Sequence, residues 1–490
     1  MKKILSLILA LLTVFAFVSC SGGKGDDFES GTDGSAASGV PEEKVEFSVG
    51  YSRVDISPDK SQLPILAAES SSEYFRAVKD PLYATCIALS DGTSTALILT
   101  LDIKGTYDYI QKGIMKAVRE ATSLDVANIM ISATHNHSAP ASSDDGNKEK
   151  FSWDDGIYDW IDTKIFAQMG QLAKDAIADL APAEIYTSKA DTTGMAYVRR
   201  YLHEDGRYTA IQNRVGEGNS TPIVAHESDA DAQLQIIKFD REEKKDIVLS
   251  NWQAHVAHAV GIYPDMITAD LVYYVRSGVE AQSDVLYAYY AGASGNVNLT
   301  AKVPIEGVEK YANYIKVGEG LADLINVALE TAMNKVEAGK IKTSRAKVIC
   351  SVVKDTNQRI AEAQEIIDSG YDSGLMKKYG FISSYEVNAV KDRSTLGTSE
   401  EVPIGVISFG DVAFVSAPYE MFDTSGMQIK SGSPFETTFV LSCAGGNYDY
   451  MPDKFAHGHG GYEVFRCRYV KGTAERLVSK YLEILEEHKQ

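Results

Sequence analysis

Positive charge is in short supply in this chain. Against 68 Asp and Glu, its 490 residues set only 48 Lys and Arg, a formal net charge of −20. With no cationic surplus to release phosphate counterions, no nucleic acid is expected as a partner. Cysteine is scarce too: there are five, none in CxxC spacing, which argues against zinc knuckles and dithiol redox motifs. Beyond the first 20 residues no stretch offers the roughly 18 consecutive apolar residues that a membrane span needs. No GxxxxGK[ST] loop occurs, which removes the ordinary P-loop ATPase. No GxSxG occurs at Ser294 either, because residues 292 to 295 read GASG. Ser294 therefore reads as part of a tight glycine turn rather than as an elbow nucleophile.

What is present has an ordinary globular balance, 44% hydrophobic and 24% charged. The start reads as a targeting segment: Lys2 and Lys3, an apolar run over residues 4 to 18, then Ser19 and Cys20. This pattern resembles a bacterial lipoprotein signal, with Phe17 where such signals usually carry Leu. The expectation is a signal peptide over 1–19, a lipidated Cys20, and a flexible tether over 20–44 rich in Ser, Gly and Asp. Localisation follows as an exported lipoprotein of the cell envelope, at the outer membrane and held to it through lipid on Cys20.

From residue 45 no Pro-rich or Ser-rich linker and no internal period appears, so 45–490 reads as one domain. Short β-branched and apolar runs occupy 96–102, 127–134, 234–239, 246–254, 285–292, 406–418 and 439–443, and helical spacing is clearest over 157–180 and 311–333. The order predicts an α/β fold with mixed β-sheets flanked by helices. Five of these runs end in unusual polar residues: His135 and His137, His255 and His258, Ser294 and Asn296, Glu420, and Asn447 with Tyr450. Sites in α/β sheets collect outside the carboxyl ends of strands, where loops converge over a rigid scaffold.

The chain has only nine histidines, and four of them fall in two of these clusters. His135 and His137, two apart in an extended segment, point to one side, so one can ligate a metal while the other faces substrate. Zinc accepts neutral imidazole and carboxylate, and catalytic zinc keeps about three protein ligands plus water. His135, His255 and Glu420 supply such a set. HxH alone is a weaker signal than HExxH.

In order along the chain stand GYSRVDISP (50–58), DPLYATCIALSDG (80–92), SATHNHSAP (132–140), VRRYLHEDG (198–206), NWQAHVAH (251–258), TAD (268–270), GASGNVN (292–298), APYEMF (417–422) and NYDYMPDKFAHGHGGYEV (447–464). In this series the chain resembles the catalytic domain of the neutral/alkaline, non-lysosomal ceramidases, over nearly its whole length after the tether. The resemblance implies a single ceramidase-like domain and one Zn2+ held by His135, His255, Glu420 and Tyr450, with Tyr419 in place of the family's glycine beside the glutamate. It also implies that His137, Arg199 and Tyr462 contact the scissile amide. Tyr448 and Arg200 stand as the alternatives to Tyr450 and Arg199.

Two departures qualify the likeness. Where long family members carry a serine assigned a catalytic role, this chain has Asn298, so water activated by the metal must attack. The chain also resembles a short form without the family's C-terminal immunoglobulin-like domain. The implied activity is hydrolysis of the N-acyl amide of ceramide or a related lipid. Two alternatives are a zinc hydrolase of another N-acyl amide or ester, and a surface lipoprotein that binds a lipid or glycan without turning it over.

Overall fold

The computed structural model describes residues 46–68, 73–142, 155–210, 221–299, 313–331 and 333–490. Cys20, the signal and the tether lie outside the described residues. Strands alternate sides along their length, and here both sides are buried, which explains why several read as continuous apolar runs. A nine-stranded mixed sheet runs in the order Leu286–Ala291, Ile247–Trp252, Gln233–Arg241, Ala181–Asp191, Ser48–Asp55, Tyr83–Ser90, Thr95–Leu101, Ile129–Ala133, with Asn334–Val336 added beside Ala181–Asp191. A second sheet of four strands runs Lys342–Ser351, Ser399–Phe409, Val412–Ser416, Thr437–Leu441.

The alternation sorts the side chains into layers. In the large sheet Ala84, Cys86, Leu97, Leu99, Ile129 and Ile131 pack with Ile110, Ile114 and Val118 of the helix Asp108–Thr122 and with Met169 and Leu172 of the helix Ala167–Ala178. Their strand neighbours Ile87, Leu89, Ile98 and Met130 face the other way and meet Phe409, Phe414, Phe439 and Leu441 of the second sheet. The outer face of that sheet, with Ile404, Val406, Val415 and Val440, is covered by Leu477, Tyr481 and Leu485 of the helix Thr473–Lys489. The result is helices, sheet, sheet, helices, the mixed α/β arrangement expected from the sequence.

Three sequence readings change in detail. The run 406–418 is two strands, because Gly410 takes φ +53° and turns Ser399–Phe409 back into Val412–Ser416. The helix expected over 157–180 begins at Asp155 and passes through a π-helical segment, Ile161–Phe166, before Ala167–Ala178. The helix expected over 311–333 is described over Tyr314–Glu330, with Asn313 accepting from Ile315 N–H at its start.

Candidate metal centre

The parallel pairs carry the site. Ile129–Ala133 runs parallel to Thr95–Leu101, Ile247–Trp252 to Leu286–Ala291, and Val412–Ser416 to Thr437–Leu441. Their carboxyl ends lead into the loops that hold His135, His255, Ser294, Glu420 and Tyr450. Backbone bonds then tie loop to loop. Asn136 bridges Val256, and His137 N–H donates to Val256 O at 2.9 Å, which sets the two histidine loops side by side. Two short strands pair in parallel with Glu420 opposite Tyr450. Gly295 N–H donates to Met421 O at 2.7 Å, and His255 N–H to Val297 O at 3.1 Å.

His135 sits at φ +61°, a left-handed conformation uncommon for a residue with a side chain. Strain of this kind is held in place by its surroundings and clusters at functional sites. It turns the imidazole so that Nδ1–H donates to Lys104 O at 2.8 Å. His255 uses Nδ1–H in the same way, donating to Ser294 O at 2.7 Å. A carbonyl can only accept, so both rings carry their proton on Nδ1 and present a bare Nε2 when neutral.

The two bare nitrogens face one oxygen. His135 Nε2 lies 3.3 Å and His255 Nε2 3.1 Å from Glu420 Oε2, an oxygen that is buried and accepts no hydrogen bond. His137 Nε2 lies 3.3 Å from His135 Nε2, and Tyr450 Oη lies 3.5 Å from His255 Nε2. Lone pairs aimed at one another in a dry pocket repel unless a cation lies between them. Donors about 3.3 Å apart form the edge of a tetrahedron whose centre is about 2.0 Å from each, the bond length zinc makes to nitrogen and oxygen. The arrangement therefore fits a metal ion. The ligating nitrogens of His135, His137 and His255 also lie within 4.8 Å of one another, so these three can hold one as well.

The electrostatics divide the two histidines: without a cation, a proton on His135 facing the Glu420 carboxylate takes its place, while His255 stays neutral. Burial, reinforced by Arg199, pushes His255 well below the ordinary imidazole value and keeps it neutral. Burial acts the same way on His135 but is outweighed by Cys443 and Glu420, which raise it. For Glu420, burial alone would raise the carboxyl, yet the His135 and His255 imidazoles hold it well below the usual carboxylate range. Burial, then Glu420, pushes the Tyr450 phenol well above its usual value.

Arg199 is buried and bonded on two of its three nitrogens: Nε donates to Glu463 Oε1 at 3.0 Å, and Nη2 to Gly295 O and Tyr450 Oη at 3.0 Å each. Arg200 points away, bridging Glu227 and the other Glu463 oxygen. Tyr462 packs edge-on against Tyr450, ring centroids 5.5 Å apart, and the Arg199 guanidinium lies 6.0 Å from its ring centre; burial and Glu420 push it up to about 12. Tyr448 lies instead under the Arg468 guanidinium, 5.9 Å from its ring centre. Asn298 is held by His258, whose Nε2 bonds its side-chain oxygen. Sequence reasoning missed three contributors: Glu463, which orients Arg199; Cys443, whose Sγ lies 3.5 Å from His135 Nδ1; and Lys104 through its carbonyl. Glu463 could have been noticed, since it stands next to Tyr462 in the GYEV stretch.

Ser294 contributes through its carbonyl, which any residue supplies. Ser294→Ala should therefore keep metal content and leave any hydrolytic rate within a few-fold of the parent. A loss of roughly a thousandfold with metal still bound, the size expected for a removed nucleophile, would make Ser294 the attacking group.

No family model and no curated protein matches the chain. Among solved structures it is similar to a neutral ceramidase from Pseudomonas aeruginosa, with TM-score 0.65 and 14% identity over 90% of this chain and 74% of that one. A structure of a ceramidase complexed with C2 gives TM-score 0.65 and 13% identity over 91% of this chain and 75% of that one. At this identity the likeness establishes a shared fold.

Proposed function

We propose that the chain is a zinc-dependent hydrolase of linear N-acyl amide bonds, acting on ceramide or a related N-acyl lipid. The observation that carries this is the convergence of the Nε2 atoms of His135 and His255 on Glu420 Oε2. The ceramidase-like fold supports the choice of reaction. His135, His255, Glu420 and Tyr450 would hold the ion, which when bound polarises a carbonyl and lowers the pKa of water toward 7.

The other residues have roles set by their positions. His137 is less buried than its two neighbours and is suited to take a proton from water and return it to the leaving amine. Arg199 keeps Nη1 outside its internal bonds, and with the Tyr462 hydroxyl it offers fixed donors to the charge that develops on the carbonyl oxygen. Donors already oriented by Glu463 and by ring packing need little reorganisation at the moment of reaction.

Metal analysis of the purified protein, coupled to fatty-acid release from a panel of ceramides, other N-acyl amides and matched esters, tests the proposal. The expected result is one zinc per chain and chelator-sensitive release from an amide. Zinc without release from any amide or ester would overturn the enzyme reading in favour of a binding protein. Release that persists undiminished in a chelator would overturn the metal.

A further inference from the structure

Gly445 and Tyr448, in the segment that connects Cys443 to Tyr450, also border a cleft away from the metal ligands. This cleft of about 610 Å³ opens between the helix Asp108–Thr122 and the edge of the second sheet, lined in part by Gln111, Met115, Arg345, Pro403 and Tyr448. In a chain of net charge −20, its wall carries four cationic side chains and two carboxylates. Asp108 and Glu120 are already taken by Lys112 and Lys116, at 3.1 and 2.7 Å.

Arg345 has no such partner. It stands on the edge strand Lys342–Ser351 opposite Gly405, a residue with no side chain to offer. Among the described residues its guanidinium makes no hydrogen bond and no ion pair. Its side chain is exposed to solvent. Gln111 is the second unusual group. It is 8% exposed, and both its amide oxygen and its amide nitrogen are buried without a partner. Buried amide groups are nearly always bonded, and one left without a partner is costly.

We propose that this cleft binds a small N-acyl amino acid. The Arg345 fork matches a carboxylate in bidentate fashion. A secondary amide next to that carboxylate supplies the donor and the acceptor that Gln111 lacks, once the side chains over the cleft floor part to admit it. Met115, Pro403 and the Tyr448 ring offer an apolar wall for a short acyl group. The cleft shares no lining residue with the metal centre, and the proposal does not rest on the hydrolase reading.

Calorimetric titration of the full chain with N-acetylglycine, acetate and inorganic phosphate tests it, on metal-loaded and chelator-treated protein alike. N-acetylglycine should saturate one site in both forms and bind more tightly than acetate. Arg345→Ala should weaken both carboxylates at least tenfold. Gln111→Leu removes an unsatisfied amide for an apolar side chain of similar size, so it should fold; it should reduce N-acetylglycine to the affinity of acetate and leave acetate unchanged. Absence of saturable binding, a preference for phosphate, binding only when metal is present, or undiminished binding to Arg345→Ala would each overturn the proposal.

Discussion

His255→Ala should leave a folded protein that no longer retains zinc. In the parent, His255 Nε2 lies 3.1 Å from Glu420 Oε2 and Nδ1 is fixed by Ser294 O, so the ring is held ready for a cation. Removing a partner behind a ligand costs roughly 10- to 100-fold in metal affinity, and removing the ligand itself should cost more. The effect can be read without a substrate. An ion that binds only the folded state stabilises it by about 2.7 kcal/mol at a hundred times its dissociation constant. Added zinc should therefore raise the Tm of the parent by several degrees and leave that of His255→Ala unmoved, with any amidase activity lost as well. Stoichiometric zinc in the variant would sink the assignment. His137→Ala separates the two ligand sets the geometry allows. If Glu420 and Tyr450 complete the shell, this variant keeps its zinc; if the three histidines do, it loses it.

The layers were legible in the sequence because burial on both sides of a strand writes a continuous apolar run, as in Ile129–Ala133 and Ile247–Trp252. The loops that hold the site were legible for a related reason: a polar cluster at the end of such a run has no structural use in a core. Where the reading ran out, the deciding contacts were non-local or conformational. Tyr448 and Tyr450 look equivalent at a spacing of two, since a strand would send both to one side. Asp449 takes φ +59°, which breaks that periodicity, and only Tyr450 pairs beside Glu420. Arg199 and Arg200 are adjacent and share Glu463, more than 260 residues away; what separates them is that Arg199 Nη2 reaches Tyr450 Oη while Arg200 turns to Glu227. The helices Asn357–Asp368, Ser373–Tyr379 and Ser384–Ser394 were not anticipated at all. They share a small core of their own around Ile366, Phe381 and Val387, so few of their positions need to be apolar and the helical pattern is faint.

Gly295→Ala should damage the centre from a position that contributes no ligand. A Cβ at Gly295 would lie 2.5 Å from Glu420 O and 2.9 Å from Met421 O. Both are backbone atoms, so no side-chain rotation relieves the clash. Either the turn retreats, breaking the 2.7 Å bond from Gly295 N–H to Met421 O, or the strand Glu420–Met421 moves. That strand is paired in register with Tyr450–Met451, so Glu420 and Tyr450 would shift together. Overpacking of this kind costs about 1–3 kcal/mol, and displacement of the carboxylate should lower zinc affinity by roughly the 10- to 100-fold expected for a disturbed ligand support. The neighbouring Ser294→Ala gives the control, because it leaves the same turn and the same carbonyl in place. Equilibrium dialysis of the two variants against zinc, with urea unfolding of each, distinguishes a disturbed centre from general instability. If Gly295→Ala binds zinc as tightly as Ser294→Ala, the turn at 292–295 does not brace Glu420, and the glycine is explained by the tightness of the turn alone.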